Sequence, residues 1–490
     1  LDTLLKILIA VALLVTGVLL YSFVQTSPPA TPTPVDGSSD VADRYIGDWH
    51  GFVEANGGKF MVVFHISQTA DGALTATWDS VDQDQFDLPV ESIEANGASI
   101  TLHMPAVNSR YEGELSADGT MIDGTWYQGD RGQLPLQVHS GEIPTLATRP
   151  QDPVPPFPYQ FEEISFPNTD GGHELAGTLT LPEGDGPFPA AILISGSGPQ
   201  DRNSEFADHR PFWVLADHLT RQGIAVLRYD DRGIADSTGD FNSATSADFA
   251  IDALSAIKYL QSRSEIDAMQ IGLIGHSEGG IIAAIAASQN TDIAYVVLMA
   301  SPGVSGKRVI LSQNLALGEA GDIPSDVVEL SNRVNEEIYD VIIAEQDDEI
   351  AAESILEIVD ALNEDEVQKL GFNRQAFVNV LPGLTSPWFR YYLAFDPGPT
   401  FEQLQMPVLA LNGLNDLQII PEINLVAIET ALSEGGNPDF EIGEFEDLNH
   451  LFQTSETGLP GEYEAIDETL APVVLEKITA WILEKTASER

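Results

Sequence analysis

MQIGLIGHSEGGIIAAIAAS, residues 269–288, sets a glycine-flanked serine between two apolar runs. The first run, Met269 to Ile274, has the length of a strand, and the second, Gly280 to Ala287, opens a helix. A serine on a sharp strand-to-helix turn exposes its hydroxyl, while a side chain at Gly275 or Gly279 would block the close approach of strand and helix. Gly275-His276-Ser277-Glu278-Gly279 is therefore read as a nucleophile elbow, with Ser277 as candidate nucleophile. The alternative is a glycine-rich turn carrying an ordinary serine.

Working outward, apolar strands are predicted at Ala190 to Ser195, Ile224 to Tyr229, Ile271 to Gly275, Ile293 to Ala300, Pro407 to Leu411 and Phe440 to Phe445. Helices are predicted between them at Phe212 to Gln222, Ala247 to Arg263 and Glu278 to Ser288, with another from about Ile466 to Lys485. Near-continuous apolar strands alternating with helices predict an α/β fold, a mostly parallel sheet covered on both faces. One interval breaks the alternation. The acidic stretch of about 303–400 has helical patterning and no convincing strand, so it is predicted to be a helical lid inserted above the carboxyl ends of the strands.

With an elbow serine in such a sheet, an acid and then a histidine are expected after later strands. Asp416 follows the strand Pro407 to Leu411, and His450 follows Phe440 to Phe445 as the only histidine beyond His276. Asp447 is the competing acid, but it shares a loop with His450, whereas a triad needs a carboxylate held independently of the imidazole. Candidate oxyanion donors are the backbone N–H of Glu278, at a helix amino terminus, and that of Ser197 in the loop Ser195 to Pro199, with Gly198 as alternative. Trp388, Phe389 and Tyr391 are candidates for a substrate pocket wall. Asp201, Arg202 and Asn203, like Asp230, Asp231 and Arg232, read as loop-holding polar groups more readily than as substrate ligands. None of this chemistry calls for a cofactor or a metal.

SGSGPQDRN (195–203), VLRYDDRG (226–233) and SPWFRYYLAFDP (386–397), together with the elbow and the order Ser, Asp, His, resemble the bacterial carboxylesterase branch of the α/β-hydrolase superfamily. The resemblance covers about residues 160–490. It implies an α/β-hydrolase fold and serine hydrolysis of acyl esters by Ser277, Asp416 and His450, with a small-molecule ester as substrate. A preference for short to medium acyl chains is expected from the aromatic residues of the lid. A serine peptidase or amidase on the same triad is the close alternative. The much longer upstream β-propeller normal in prolyl-oligopeptidase-type peptidases has no room here. A non-enzymatic binding protein is the alternative from another class.

With Lys+Arg 22 against Asp+Glu 76, the net charge is -54, a field that repels phosphate backbones and makes nucleic acid an unsuitable partner. Such charge suits either high salt or an ordinary acidic secreted protein. With Cys 0 there is no cysteine nucleophile and no thiolate metal site. Ile7 to Val24 is almost wholly apolar and preceded by Lys6, so residues 1–25 are expected to be a membrane-spanning signal anchor that places the rest of the chain outside the cytoplasm, either anchored or secreted after cleavage. Residues 26–40 would be a Pro/Ser/Thr linker, 41–148 a small all-β domain with core tryptophans, 149–160 a second Pro-rich linker, and 161–490 the α/β domain.

Overall fold

The computed structural model describes residues 44–487 apart from 56–57, 70–72, 81–84, 106–108, 129–131, 142–148 and 373. They form two compact units, one ending at Thr148 and the other running on from Arg149. The expected anchor and first linker lie outside the described residues. Among the described residues no helix is long and apolar enough to cross a membrane.

The first unit is a nine-stranded antiparallel meander: β1 (Gly47–Ala55), β2 (Gly58–Gln68), β3 (Leu74–Ser80), β4 (Gln85–Pro89), β5 (Ser92–Asn96), β6 (Ser99–Met104), β7 (Ser109–Leu115), β8 (Met121–Gln128) and β9 (Gly132–Ser140). Its spatial order, β4-β3-β2-β1-β9-β8-β7-β6-β5, puts the consecutive strands β4 and β5 at opposite ends. Between them, Val90 N–H donates to Ala76 O of β3 at 3.2 Å and Glu91 N–H to His103 O of β6 at 2.8 Å. The two edges therefore meet, and the sheet closes into a barrel. Alternate residues point inward, and Trp49, Phe64, Trp78, Tyr111 and Trp126 are buried there, with the Trp78 and Trp126 ring centroids 5.2 Å apart. The tryptophans are barrel core. Their polar ends are satisfied as burial demands, the Trp49 indole N–H by Tyr45 O at 2.7 Å and that of Trp126 by Gln128 Oε1 at 3.0 Å.

The second unit is built on β10 (Gln160–Asn168), β11 (His173–Leu181), β12 (Phe188–Ile194), β13 (Ala225–Tyr229), β14 (Ile266–His276), β15 (Val296–Met299), β16 (Val408–Gly413) and β17 (Phe440–Phe445), in the spatial order β10-β11-β13-β12-β14-β15-β16-β17. From β13 to β17 every neighbouring pair is parallel. Successive residues serve opposite faces. Ala190, Ile192 and Ile194 join one core and Ala191 and Leu193 the other, which is why these strands read as unbroken apolar runs. Helices α1 (Pro211–Arg221) and α12 (Pro472–Thr486) cover one face; α2 (Ser246–Gln261), α3 (Glu278–Gln289) and α11 (Pro421–Glu434) cover the other.

Between β15 and β16 the chain leaves the sheet as α4 (Gly306–Ala320), α5 (Ser325–Ala344), α6 (Asp348–Asp360), α7 (Glu364–Leu370), α8 (Arg374–Leu384), α9 (Pro387–Ala394) and α10 (Gly398–Phe401). Three local expectations shift. The antiparallel pair β10 and β11 is absent from the sequence reading because β10, QFEEISFPN, is an edge strand whose exposed face carries charge. The last helix begins at Pro472, well suited to the first helical turn, after a 3₁₀ segment Pro460–Ala465. The Pro-rich stretch expected to be a linker at 149–160 starts inside the second unit. The Arg149 guanidinium donates to Glu464 O at 2.8 Å and Ile466 O at 3.1 Å, and Gln151 Nε2 donates to Leu470 O at 2.7 Å.

Candidate active site

β14 ends and α3 begins on either side of Ser277, whose φ of 55° and ψ of -125° are seldom adopted by an L-residue. Such strain costs about 1–3 kcal/mol and persists only where the surroundings impose it. Here Ser277 N–H is held by Met299 O at 2.8 Å and Ser277 O by Gly280 N–H at 3.0 Å. Both motif glycines are sterically required. A Cβ on Gly275 would fall 2.1 Å from Gly279 O, and one on Gly279 would fall 2.2 Å from Ile194 O.

Asp416, buried after β16, accepts the N–H groups of Gln418 and Ile419 at 2.8 Å on Oδ1 and faces His450 Nδ1 with Oδ2 at 2.9 Å. The carboxylate is thus oriented by its own loop before it meets the imidazole. Asp447 is exposed and sits at a positive-φ turn, where its carbonyl binds Ser455 N–H. His450 is held from a second side: His276 Nε2–H donates to His450 O at 2.9 Å, and the two ring centroids lie 4.8 Å apart. Burial, reinforced by His450, pushes the His276 pKa down to about 3, so the ring is neutral and acts as a hydrogen-bond donor. The sequence reading gave His276 no role in holding the His450 loop.

The glycine loop after β12 packs against the elbow, since a Cβ on Gly196 would lie 3.2 Å from Ser277 Cβ. Asp231, at the end of β13, anchors this loop by accepting Ser195 Oγ–H at 2.8 Å and Gln200 N–H at 3.0 Å. Glu278 is buried in the first turn of α3, and burial raises its pKa. Its carboxylate accepts Ser197 Oγ–H and Ser246 Oγ–H, both at 2.6 Å, and the Trp388 indole N–H at 2.9 and 3.1 Å. Arg202 binds Asp230 through Nε at 3.0 Å and Nη2 at 2.5 Å, together with Asp236 and Glu163. Arg232 binds Asp252 at 2.7 Å. These charges hold loops.

Ser277 and His450 open into one cavity of about 200 Å³. The helical insertion contributes Val309, Ile310, Trp388, Phe389 and Tyr392, with Gln313, whereas the loops of the sheet contribute Gln200, Ser204, His209, Gln418 and Thr469. The wall from the insertion is chiefly apolar, and the wall from the loops is mixed, with Phe206, Phe241, Ile419 and Leu451 beside those polar groups. Tyr391 stacks on Phe395 at 5.3 Å, and the tyrosine that the insertion brings to the lining is Tyr392, stacked on Trp388 at 5.6 Å. Tyr391 and Tyr392 lie three and four positions after Trp388, so helical spacing alone would allow either beside it, and the packing selects Tyr392.

A family model described as serine aminopeptidase, S33, matches residues 210–369, from α1 into the insertion. Esterase EstD of Thermotoga maritima is 26% identical over 344 residues, 68% of this chain and 73% of that protein. The second unit has the α/β-hydrolase fold. Putative hydrolase YtaP of Bacillus subtilis matches a shorter part of the second unit, 32% identical over 162 residues, 29% of this chain and 54% of that protein. Among solved structures, the α/β hydrolase GrgF from Penicillium aligns with a TM-score of 0.44 at 18% identity, covering 67% of this chain and 99% of that one. Est1E from Butyrivibrio proteoclasticus, solved with ferulic acid, aligns with a TM-score of 0.39 at 16% identity, covering 66% and 100%. By its likeness to Esterase EstD the second unit is esterase-like in sequence.

Proposed function

We propose that the protein hydrolyses carboxylic esters of short to medium acyl chain, about two to eight carbons, through an acyl-enzyme on Ser277. The observation that carries this is the buried Asp416–His450 pair, 2.9 Å apart, opening with the strained Ser277 into one cavity. In the proposed cycle His450 accepts the Ser277 proton as Oγ attacks the ester carbonyl, and Asp416 steadies the imidazolium. The backbone N–H groups of Ser197 and Glu278 receive the oxyanion; the first N–H groups of a helix have no carbonyl partner within it. His450 then protonates the leaving alcohol, and water, deprotonated by the same histidine, releases the acid.

The insertion acts in this proposal as a lid whose apolar wall receives the acyl group, leaving the mixed loop wall for the alcohol. A cavity of about 200 Å³ supports small acyl groups. An amidase or peptidase on the same residues is the second possibility, favoured by the description of the family model matching 210–369. The test is a panel of p-nitrophenyl esters from acetyl to palmitoyl, beside aminoacyl p-nitroanilides, with Ser277→Ala as control. The expected outcome is a kcat/KM maximum at short to medium esters, weak anilide turnover, and a loss of at least about a thousandfold in the variant. A steady rise to palmitoyl makes the lid a lipase-type cover; anilides outrunning esters make the enzyme a peptidase. An extracytoplasmic, membrane-attached location is likewise proposed, from Ile7 to Val24, and fractionating cells that express the chain with and without residues 1–25 tests it.

A further inference from the structure

Glu278 carries a buried carboxylate that has no part in the proton transfers described above. Its hydrogen-bond donors come from three separate elements: Ser197 of the glycine loop, Ser246 at the start of α2, and Trp388 in the first turn of α9. We propose that Glu278 is a positioning residue that ties the seating of α9 over the cavity to the geometry of the oxyanion site. The proposal rests on the ester-hydrolase reading, because it takes the backbone N–H groups of Ser197 and Glu278 as the oxyanion donors.

The geometry makes the coupling direct. The side chain of the residue bearing one donor holds the side chain of the residue bearing the other, at 2.6 Å. The same carboxylate holds the indole of the insertion at 2.9 Å, and that ring lies flat against Tyr392, with an interplanar angle of 13°. A carboxylate suits this junction because its two oxygens accept from several donors at once, whereas an amide has one acceptor and turns two N–H groups toward donors. Lifting α9 would strip the buried carboxylate of the Trp388 N–H and leave it to redistribute its remaining bonds, which moves Ser197. Transition-state stabilisation by preorganised donors depends on placement within a few tenths of an ångström. The lid and the oxyanion site therefore work as one unit.

Trp388→Phe keeps an aromatic ring and removes the N–H, and Ser197→Ala keeps the backbone donor and removes the tether. Both are tested in the full chain, singly and together, beside Glu278→Gln, with far-UV circular dichroism and melting to verify folding. The measurements are kcat and KM for p-nitrophenyl acetate and inhibition by a methyl trifluoromethyl ketone, whose adduct with Ser277 carries an oxyanion. Each single change should lower kcat about tenfold or more, weaken the ketone in proportion, and leave KM within about twofold. The double variant should lose little more than the worse single one, since both act through one carboxylate. Folded single variants with parental kcat and ketone affinity, or a double loss equal to the product of the single losses, overturn the proposal. A parallel loss in KM with ketone affinity intact does so as well, because the defect would then lie in ground-state binding. Ser277→Ala separates the levels: turnover retained there removes the ester-hydrolase reading itself, whereas an inactive Ser277→Ala beside fully active single variants removes only the coupling.

Discussion

Asp416 and Asp447 compete on paper for His450, and the backbone decides between them. Asp416 is fixed by two N–H groups of its own loop and meets Nδ1 at 2.9 Å, whereas Asp447 lies exposed on a turn. Asp416→Asn should lower esterase kcat by about 10³-fold or more, since an amide presents N–H to the imidazole and supports the wrong tautomer. Asp447→Asn should stay within about threefold of the parent, a surface change away from the imidazole. Steady-state kinetics on p-nitrophenyl butyrate checks the ranking. His276 gives a pH-dependent outcome. Its folded pKa of about 3 lies below the ordinary 6.5, so between those values the unfolded chain binds the additional proton. Stability tied to the neutral ring is complete above pH 6.5 and falls as the pH drops toward 3, by at most about 1.4 kcal/mol per pH unit for one proton. His276→Gln keeps an N–H donor for His450 O but does not titrate. Guanidinium unfolding between pH 7 and pH 4 should therefore show a shallower acid loss in the variant; equal slopes would show that His276 does not govern this window.

At the scale of elements, the elbow is a crossing of backbones more than a sequence pattern. The 2.2 Å approach of a Gly279 Cβ to Ile194 O sets α3 against the end of β12, with backbone on both sides of the clash. Gly279→Ala should destabilise the α/β unit by about 3 kcal/mol or more, beyond ordinary overpacking, because no side chain can move aside. Thermal melting of the second unit reads this directly, and a wild-type melting temperature would mean that β12 and α3 can separate without loss. The central strands were legible because burial on both faces leaves few positions for polar residues, and β13, buried throughout, falls within the predicted Ile224 to Tyr229. β10 was not legible, since an edge strand with one exposed face carries Glu162 and Glu163 like a loop. In the insertion the helical character was legible, but the face α9 turns toward the cavity was not. Both Tyr391 and Tyr392 are aromatic, and only packing of the helix places Tyr392 beside Trp388.

For the whole molecule the dominant quantity is a net charge of -54 over 490 residues. Compact folding brings these carboxylates closer together, so self-repulsion weakens the folded state and salt relieves it. Raising NaCl from about 0.1 M to about 1 M shortens the screening length from about 10 Å to about 3 Å. The melting temperature should rise over that range, and a flat or falling curve would show that local ion pairs such as Arg202–Asp230 outweigh the net field. Chemistry that depends on order along the chain was determined by the sequence alone: an elbow serine, one later histidine, an acid after its own strand, and strands apolar enough for a doubly covered sheet. These follow from local sterics and burial, which act on neighbouring residues. The partners of Glu278, the grip of His276 on the His450 loop, the closure of the barrel through Val90 and Glu91, and the lining of the cavity were decided only by tertiary structure. Each joins residues far apart in the chain whose types, serine, tryptophan, histidine and backbone amide, are compatible with many partners, so only the packed geometry selects one.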